Sequence, residues 1–304
     1  MNTLFSDTNT YRLKSTLILF CFTAFLAVPS FAQKTNGTVN SLLKTEAYFN
    51  NLAIKKGLNQ AFIEMADKTG VTFRPNPVNI IDFYSKQEPA DFELGWQPDF
   101  ALISKSGYFG FTAGLYTIKK DEKLSYGHYL SVWKAEKNKK WRLALDAGIE
   151  HKKPVKEVDP QFIDPSNYKY PKLIGPKKVK MREDIVFSTD LLFSKALIRS
   201  GNKNFSEYYA DDVRLYFPDE LPFIGKQQAI NFIDQRNQHI TSNPTFVDRA
   251  FSGDLAYTNG KASIGVNKYN YIRIWKKGDD SKWYILADMY VEEASPQSSP
   301  KERE

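Results

Sequence analysis

Cysteine is nearly absent, with Cys21 the single example in 304 residues. It lies inside an apolar N-terminal run whose removal would leave a chain without disulfides, thiol nucleophiles or thiolate metal sites. Histidine is almost as scarce, and His128, His151 and His239 are scattered with no ligand spacing, so the pattern supports no metal site. No glycine-rich loop joins a strand to a helix, which removes support for the common nucleotide-binding modes. Beyond the N-terminus no apolar run is long enough to span a membrane. Stability is left to packing, and the 42% hydrophobic and 14% aromatic content suits two globular domains of ordinary size.

The N-terminus carries Arg12 and Lys14, then the apolar run from Leu17 to Val28, then Ser30-Phe31-Ala32. That order is expected of a secretory signal, residues 1–32, cleaved after Ala32, which places the mature protein in the periplasm or outside the cell. Cys21 follows the bulky Phe20, a poor context for lipidation. The net charge of +7 is concentrated in residues 152–181, where eight lysines alternate with prolines. This segment reads as a solvated linker and not as a nucleic-acid groove.

What the chain does have is a repeat. Trp133-Lys134, Lys140-Trp141, Asp146 and Glu150 return as Trp275-Lys276, Lys282-Trp283, Asp288 and Glu292, each displaced by the same interval (275 minus 133). Each copy reads as a β-hairpin with alternating faces. Ser106-Gly107 to Gly114 likewise returns as Ser252-Gly253 to Gly260. Upstream of each hairpin pair the spacing predicts helices. Leu42, Thr45, Phe49, Leu52 and Ala53 share a face capped by Asn40 or Ser41 and stopped by Gly57, and Phe193, Ala196 and Leu197 precede Gly201. Helices followed by a run of antiparallel strands, used twice, predict an α+β protein with domains at 38–151 and 182–293, and a disordered tail at 294–304.

Phe193 to Gly201, then Phe205, Tyr208-Tyr209-Ala210-Asp211-Asp212-Val213, Phe217-Pro218 and Gly225, resemble the opening of a nuclear transport factor 2-like domain, the superfamily of ketosteroid isomerase and SnoaL-like proteins. The paired Trp-Lys…Lys-Trp…Asp segments resemble a subgroup of unknown function. The resemblance covers both repeats and implies two cone-shaped domains, each a strongly curved antiparallel sheet packed on N-terminal helices around a pocket. Isomerase chemistry does not carry over. The base position falls on Arg74 and Phe217, the oxyanion tyrosine on Asn50 and Ser194, and the protonated aspartate on His128 and Asn270.

Combined with strand alternation, the resemblance assigns His128, Leu130, Val132, Arg142, Ala144 and Asp146 to the first pocket. It assigns Asn270, Ile272, Ile274, Tyr284, Leu286, Asp288 and Tyr290 to the second. The reading expected is a small, partly apolar ligand bound without a cofactor. The alternatives are an acid/base enzyme using His128, Arg142 and Asp146, although a lone imidazole such as His128 is more often a hydrogen-bonded core group, and a non-catalytic association scaffold. Tyr48, Phe49, Phe193, Tyr208 and Tyr209 read as core. On the opposite strand faces, Trp133, Trp141, Trp275 and Trp283 are expected to join the two domains in an intrachain pseudo-dimer.

Overall fold

The computed structural model describes residues 34–293 apart from 137, 157 and 174; the expected signal segment and tail lie outside the described residues. The first unit runs α1 (Val39–Lys56), α2 (Leu58–Met65), β1 (Ala66–Phe73), β2 (Pro77–Asn79), α3 (Ile80–Tyr84), β3 (Glu93–Ile103), β4 (Phe109–Lys120), β5 (Lys123–Ala135) and β6 (Trp141–His151). A short β7 (Gln161–Ile163) follows. The second unit runs α4 (Pro176–Ser200), α5 (Phe205–Tyr208), β8 (Tyr209–Tyr216), β9 (Phe223–Ile224), α6 (Lys226–Arg236), β10 (Ile240–Arg249), β11 (Leu255–Ile264), β12 (Asn267–Lys277) and β13 (Trp283–Glu292). The protein is α+β, with two mixed sheets and their helices.

Local sequence accounts for the helix ends. α1 buries Leu42, Thr45, Phe49 and Leu52 at helical spacing and stops at Gly57, whose φ of 85° is costly for any residue with a Cβ. Its N-cap is Thr38 rather than Asn40 or Ser41, and a distant partner completes the cap: Val39 N–H donates to Asp164 Oδ1 at 2.6 Å. α4 begins at Pro176, so that residues 176–181 of the expected linker are helical, with proline where the first turn needs no amide hydrogen. The rest of that linker is not free either, because β7 adds a parallel edge strand to β3.

The sheet orders are β2-β1-β6-β5-β4-β3-β7 and β10-β11-β12-β13-β8-β9, so, β7 aside, the second sheet repeats the order of the first. In both, one edge of the central hairpin carries a bulge. Val132 pairs with Leu145 and Trp133 with Leu143, leaving Ala144 unpaired; Ile274 pairs with Ala287 and Trp275 with Ile285, leaving Leu286 unpaired. A bulge flips which face later side chains take. As a result Trp141, Leu143 and Asp146 all face the helices of the first unit.

The four hairpin tryptophans therefore do not join the sheets. Trp133 and Trp141 pack with α1 and α2 residues such as Phe49 and Phe62, and Trp275 and Trp283 pack with Phe193 and Phe205. The residues expected in the pockets take the other side. Leu130, Val132, Ala144, Ile272, Ile274 and Leu286 fall in a single apolar cluster drawn from both sheets, together with Phe111, Tyr257 and Met289. The alternation in β5 and β12 is thus one residue out from the expectation, and a one-residue slip exchanges the two faces of a strand.

Candidate functional site

On the helical face of the first sheet lies a cavity of 440 Å³. Phe49, Phe62, Phe83, Tyr84, Phe92, Trp96 and Tyr116 form much of its wall, and Arg74, Ser131 and Asp146 supply polar atoms. Glycine makes room for it. Tyr116 lies against Gly127 and Gly148: a Cβ on Gly127 would stand 2.3 Å from Tyr116 Cζ, and one on Gly148 would stand 3.2 Å from its Cε1. The corresponding register positions of the second sheet invert this arrangement. Ala262 pairs with Tyr269 where Tyr116 pairs with Gly127, and Tyr271 pairs with Tyr290 where Tyr129 pairs with Gly148. Tyr269 and Tyr290 are buried and pack around Phe217 at centroid distances of 5.5 and 5.8 Å.

Asp146 is held in place. It accepts from Arg74 Nη2 at 3.1 Å and from Ser131 Oγ at 3.0 Å, while Arg74 also donates to Tyr84 Oη at 2.9 Å and to the Phe73 carbonyl at 2.9 Å. Burial pushes the Tyr84 phenol up to about 12 despite the guanidinium beside it. Behind Trp96 sits Glu46, fully buried, accepting from the indoles of Trp96 and Trp133 at 3.0 Å each and from the Thr112 hydroxyl. Burial outweighs these donors and raises its carboxyl from 4.5 to about 7. Tyr129 also lines the cavity, but its hydroxyl is buried out of solvent contact, near Thr112 and Glu46.

The second sheet fills the same place with a salt-bridge network. Arg273, at the position of Ser131, is fully buried; it reaches Asp190 Oδ1 at 2.5 Å and Asp288 Oδ1 at 3.3 Å, with its guanidinium carbon 4.0 Å from the centre of the Tyr271 ring and 4.8 Å from that of Phe193. Tyr209 and Tyr290 donate to Asp288 at 2.9 and 3.2 Å, and Tyr271 donates to Asp190 at 2.9 Å. Both sheets thus pair the recurring aspartate with an arginine. In the first, the arginine comes from beyond β1 and leaves space; in the second, it comes from β12 and occupies it.

Of the seven polar residues assigned to the pockets from sequence, His128, Arg142, Asp146, Asn270, Tyr284, Asp288 and Tyr290, only Asp146 lines the cavity. His128 points to the opposite face, where Nδ1 lies 2.6 Å from His151 Nε2 and Nε2 lies 3.2 Å from Asp99 Oδ2, its ring 5.8 Å from that of Tyr216 in the second unit. Arg142 ties the hairpin end to α2 through the Glu64 carbonyl at 2.7 Å. Asn270 donates to the Pro75 carbonyl at 3.0 Å, and Tyr284 sits at the β12–β13 turn, donating to Asp280 at 2.8 Å. Asp288 and Tyr290 belong to the buried network of the second unit. His128, Arg142 and Asp146 therefore do not converge. The slip in β5 and the bulge at Ala144 explain why: Asp146 faces the helices while its expected companions on β5 do not. Sequence reasoning missed Tyr129, Ser131, Trp96, Tyr116 and Glu46, and read Arg74 only as a missing base. The available signal was glycine at 127 and 148 against tyrosine at 269 and 290.

No family model matches the chain, and no curated protein matches it. Among solved structures, a ketosteroid isomerase-like protein from Erwinia carotovora atroseptica SCRI1043 is 12% identical, covering 38% of this chain and 98% of its own, with a TM-score of 0.34. A nuclear transport factor 2-like protein from Cytophaga hutchinsonii ATCC 33406 is 14% identical, covering 40% and 100%, with a TM-score of 0.31. Nuclear transport factor 2 from Cryptosporidium parvum is 13% identical, covering 40% and 98%, with a TM-score of 0.31. The structural neighbours of the chain are thus nuclear transport factor 2-like and ketosteroid isomerase-like folds, together with domains of unknown function such as one from Nostoc punctiforme PCC 73102.

Proposed function

We propose that the first unit is a receptor for a small, partly apolar molecule held in the cone between its sheet and helices, and that the second unit is a closed, non-catalytic copy that supports it. The carrying observation is the 440 Å³ cavity, walled by aromatic rings and supplied with Ser131 and a fixed Arg74–Asp146 pair. Ligand sites combine this kind of apolar wall with a few placed polar groups. Binding is favoured over acid/base catalysis because Asp146 already has Arg74 and Ser131 as partners and no histidine lines the cavity.

The same proposal includes a tandem duplication, supported by the repeated motifs and the matching bulges at Ala144 and Leu286, whose two copies pair as an intrachain pseudo-dimer through the apolar cluster drawn from both sheets. Export to the periplasm or beyond rests on the basic, apolar and small-residue order of residues 12–32.

Native mass spectrometry of the full chain from its own cell envelope tests this reading. A polypeptide mass beginning at Gln33 and carrying a releasable small molecule is expected. A chain that retains residues 1–32 overturns the export part, and a chain that stays ligand-free when challenged with a metabolite extract overturns the binding part.

A further inference from the structure

The cavity is acidic in a basic protein. Against the chain's net charge of +7, its lining sets one arginine, Arg74, beside three acidic residues, Glu88, Asp146 and Glu150. Arg74 and Asp146 pair with each other at 3.1 Å. Glu88 and Glu150 remain, both exposed, and among the described residues neither carboxylate is engaged by a hydrogen bond or an ion pair. Glu150 lies on β6 directly opposite Gly127, the residue against which Tyr116 packs. Its charge follows burial as a cause of the raised Tyr116 phenol, so the two groups are close enough to feel each other.

An aromatic face beside an unpaired carboxylate favours an organic cation, since ring quadrupole and carboxylate attract the same charge and both repel an anion. A second observation is independent of charge. The 440 Å³ cavity is walled largely by aromatic rings, so the body of its ligand is apolar. Gly148, against which Tyr116 packs, lies two residues before Glu150 on β6, so the backbone of Glu150 stands roughly 7 Å along the strand from that ring contact.

Resting on the reading of this cavity as a ligand site, we infer that its ligand is an amphiphilic organic cation: a flat apolar body among Trp96, Phe62 and Tyr116, and an ammonium-like group at the mouth against Glu150. Glu88 adds a second negative charge to the lining. These carboxylates disfavour the anionic counterpart of the same ligand.

Calorimetric titration of the full chain with 4-phenylbutylamine, 4-phenylbutanol and 4-phenylbutyrate at low salt separates this inference from the reading beneath it. The amine is expected to bind about tenfold more tightly than the alcohol, with the carboxylate weakest. In Glu150→Gln, an exposed substitution, the amine should fall toward the alcohol. If the alcohol binds but the amine gains nothing, or if the carboxylate binds best, the cationic class is wrong and the pocket stands. If none of the three binds, the pocket reading fails and takes the inference with it.

Discussion

Glu46 has three hydrogen-bond donors around it and is still hard to ionise, because complete burial removes more solvation than Trp96, Trp133 and Thr112 return. The folded chain keeps this proton to about pH 7, whereas the unfolded chain releases it near 4.5. Stability from this group is therefore fully present below 4.5 and is lost as pH rises to about 7. The difference is on the order of 3 kcal/mol. Glu46→Gln keeps an acceptor for the indoles and cannot ionise. Urea unfolding of this variant should show a flatter stability profile across that window and, above pH 7, a more stable protein than the parent; an unchanged profile would mean that Glu46 does not titrate there.

The two arginines make a second contrast at this scale. Arg273 is fully buried between Asp190 and Asp288, whereas Arg74 borders a cavity. Arg273→Met strands two buried carboxylates and should cost about 3–5 kcal/mol. Arg74→Met leaves Asp146 with Ser131 and access to the cavity, and should cost roughly 1–2 kcal/mol. Chemical denaturation of both variants checks the order, and equal losses would contradict the picture of one filled and one open unit.

At the scale of the elements, the helices were legible because their signals are local. Leu42, Thr45, Phe49 and Leu52 fix a buried stripe, and Gly57 supplies the positive φ that ends it. Strand faces were not legible, since alternation propagates any error along the whole strand. The bulges at Ala144 and Leu286 are set by pairing with β5 and β12, and no local residue signal announces them. The start of α4 at Pro176 was hidden in the same way, by lysine and proline content that resembles a linker. What decides between an open and a filled unit is a pairwise exchange of size, Tyr116 with Gly127 and Gly148 against Ala262 with Tyr269 and Tyr290. Transplanting part of it, as Tyr116→Ala with Gly148→Tyr, should place a ring in the cavity and reduce binding of a neutral probe such as 4-phenylbutanol at least tenfold while the chain stays folded by circular dichroism. Undiminished binding by a folded double variant would show that the probe sits elsewhere.

For the whole molecule, the apolar cluster drawn from both sheets makes each unit part of the other's core. Ile272 is fully buried within it. Ile272→Asp buries an unpaired charge and should cost at least about 3 kcal/mol. If the sheets form an intrachain pseudo-dimer, hydrogen exchange in that variant should accelerate in β5 as well as in β12, and acceleration confined to the second sheet would contradict the pairing.

An open receptor in the first unit and a closed copy in the second would differ in whether they take up a probe. A crystal structure of the full chain soaked with 4-phenylbutanol tests this difference most directly. Density is expected for the ring among Trp96, Phe62 and Tyr116, with the hydroxyl within hydrogen-bond distance of Arg74 or Asp146, and none beside Arg273. Density against Arg273, or an empty cavity at saturating probe, would contradict this expectation.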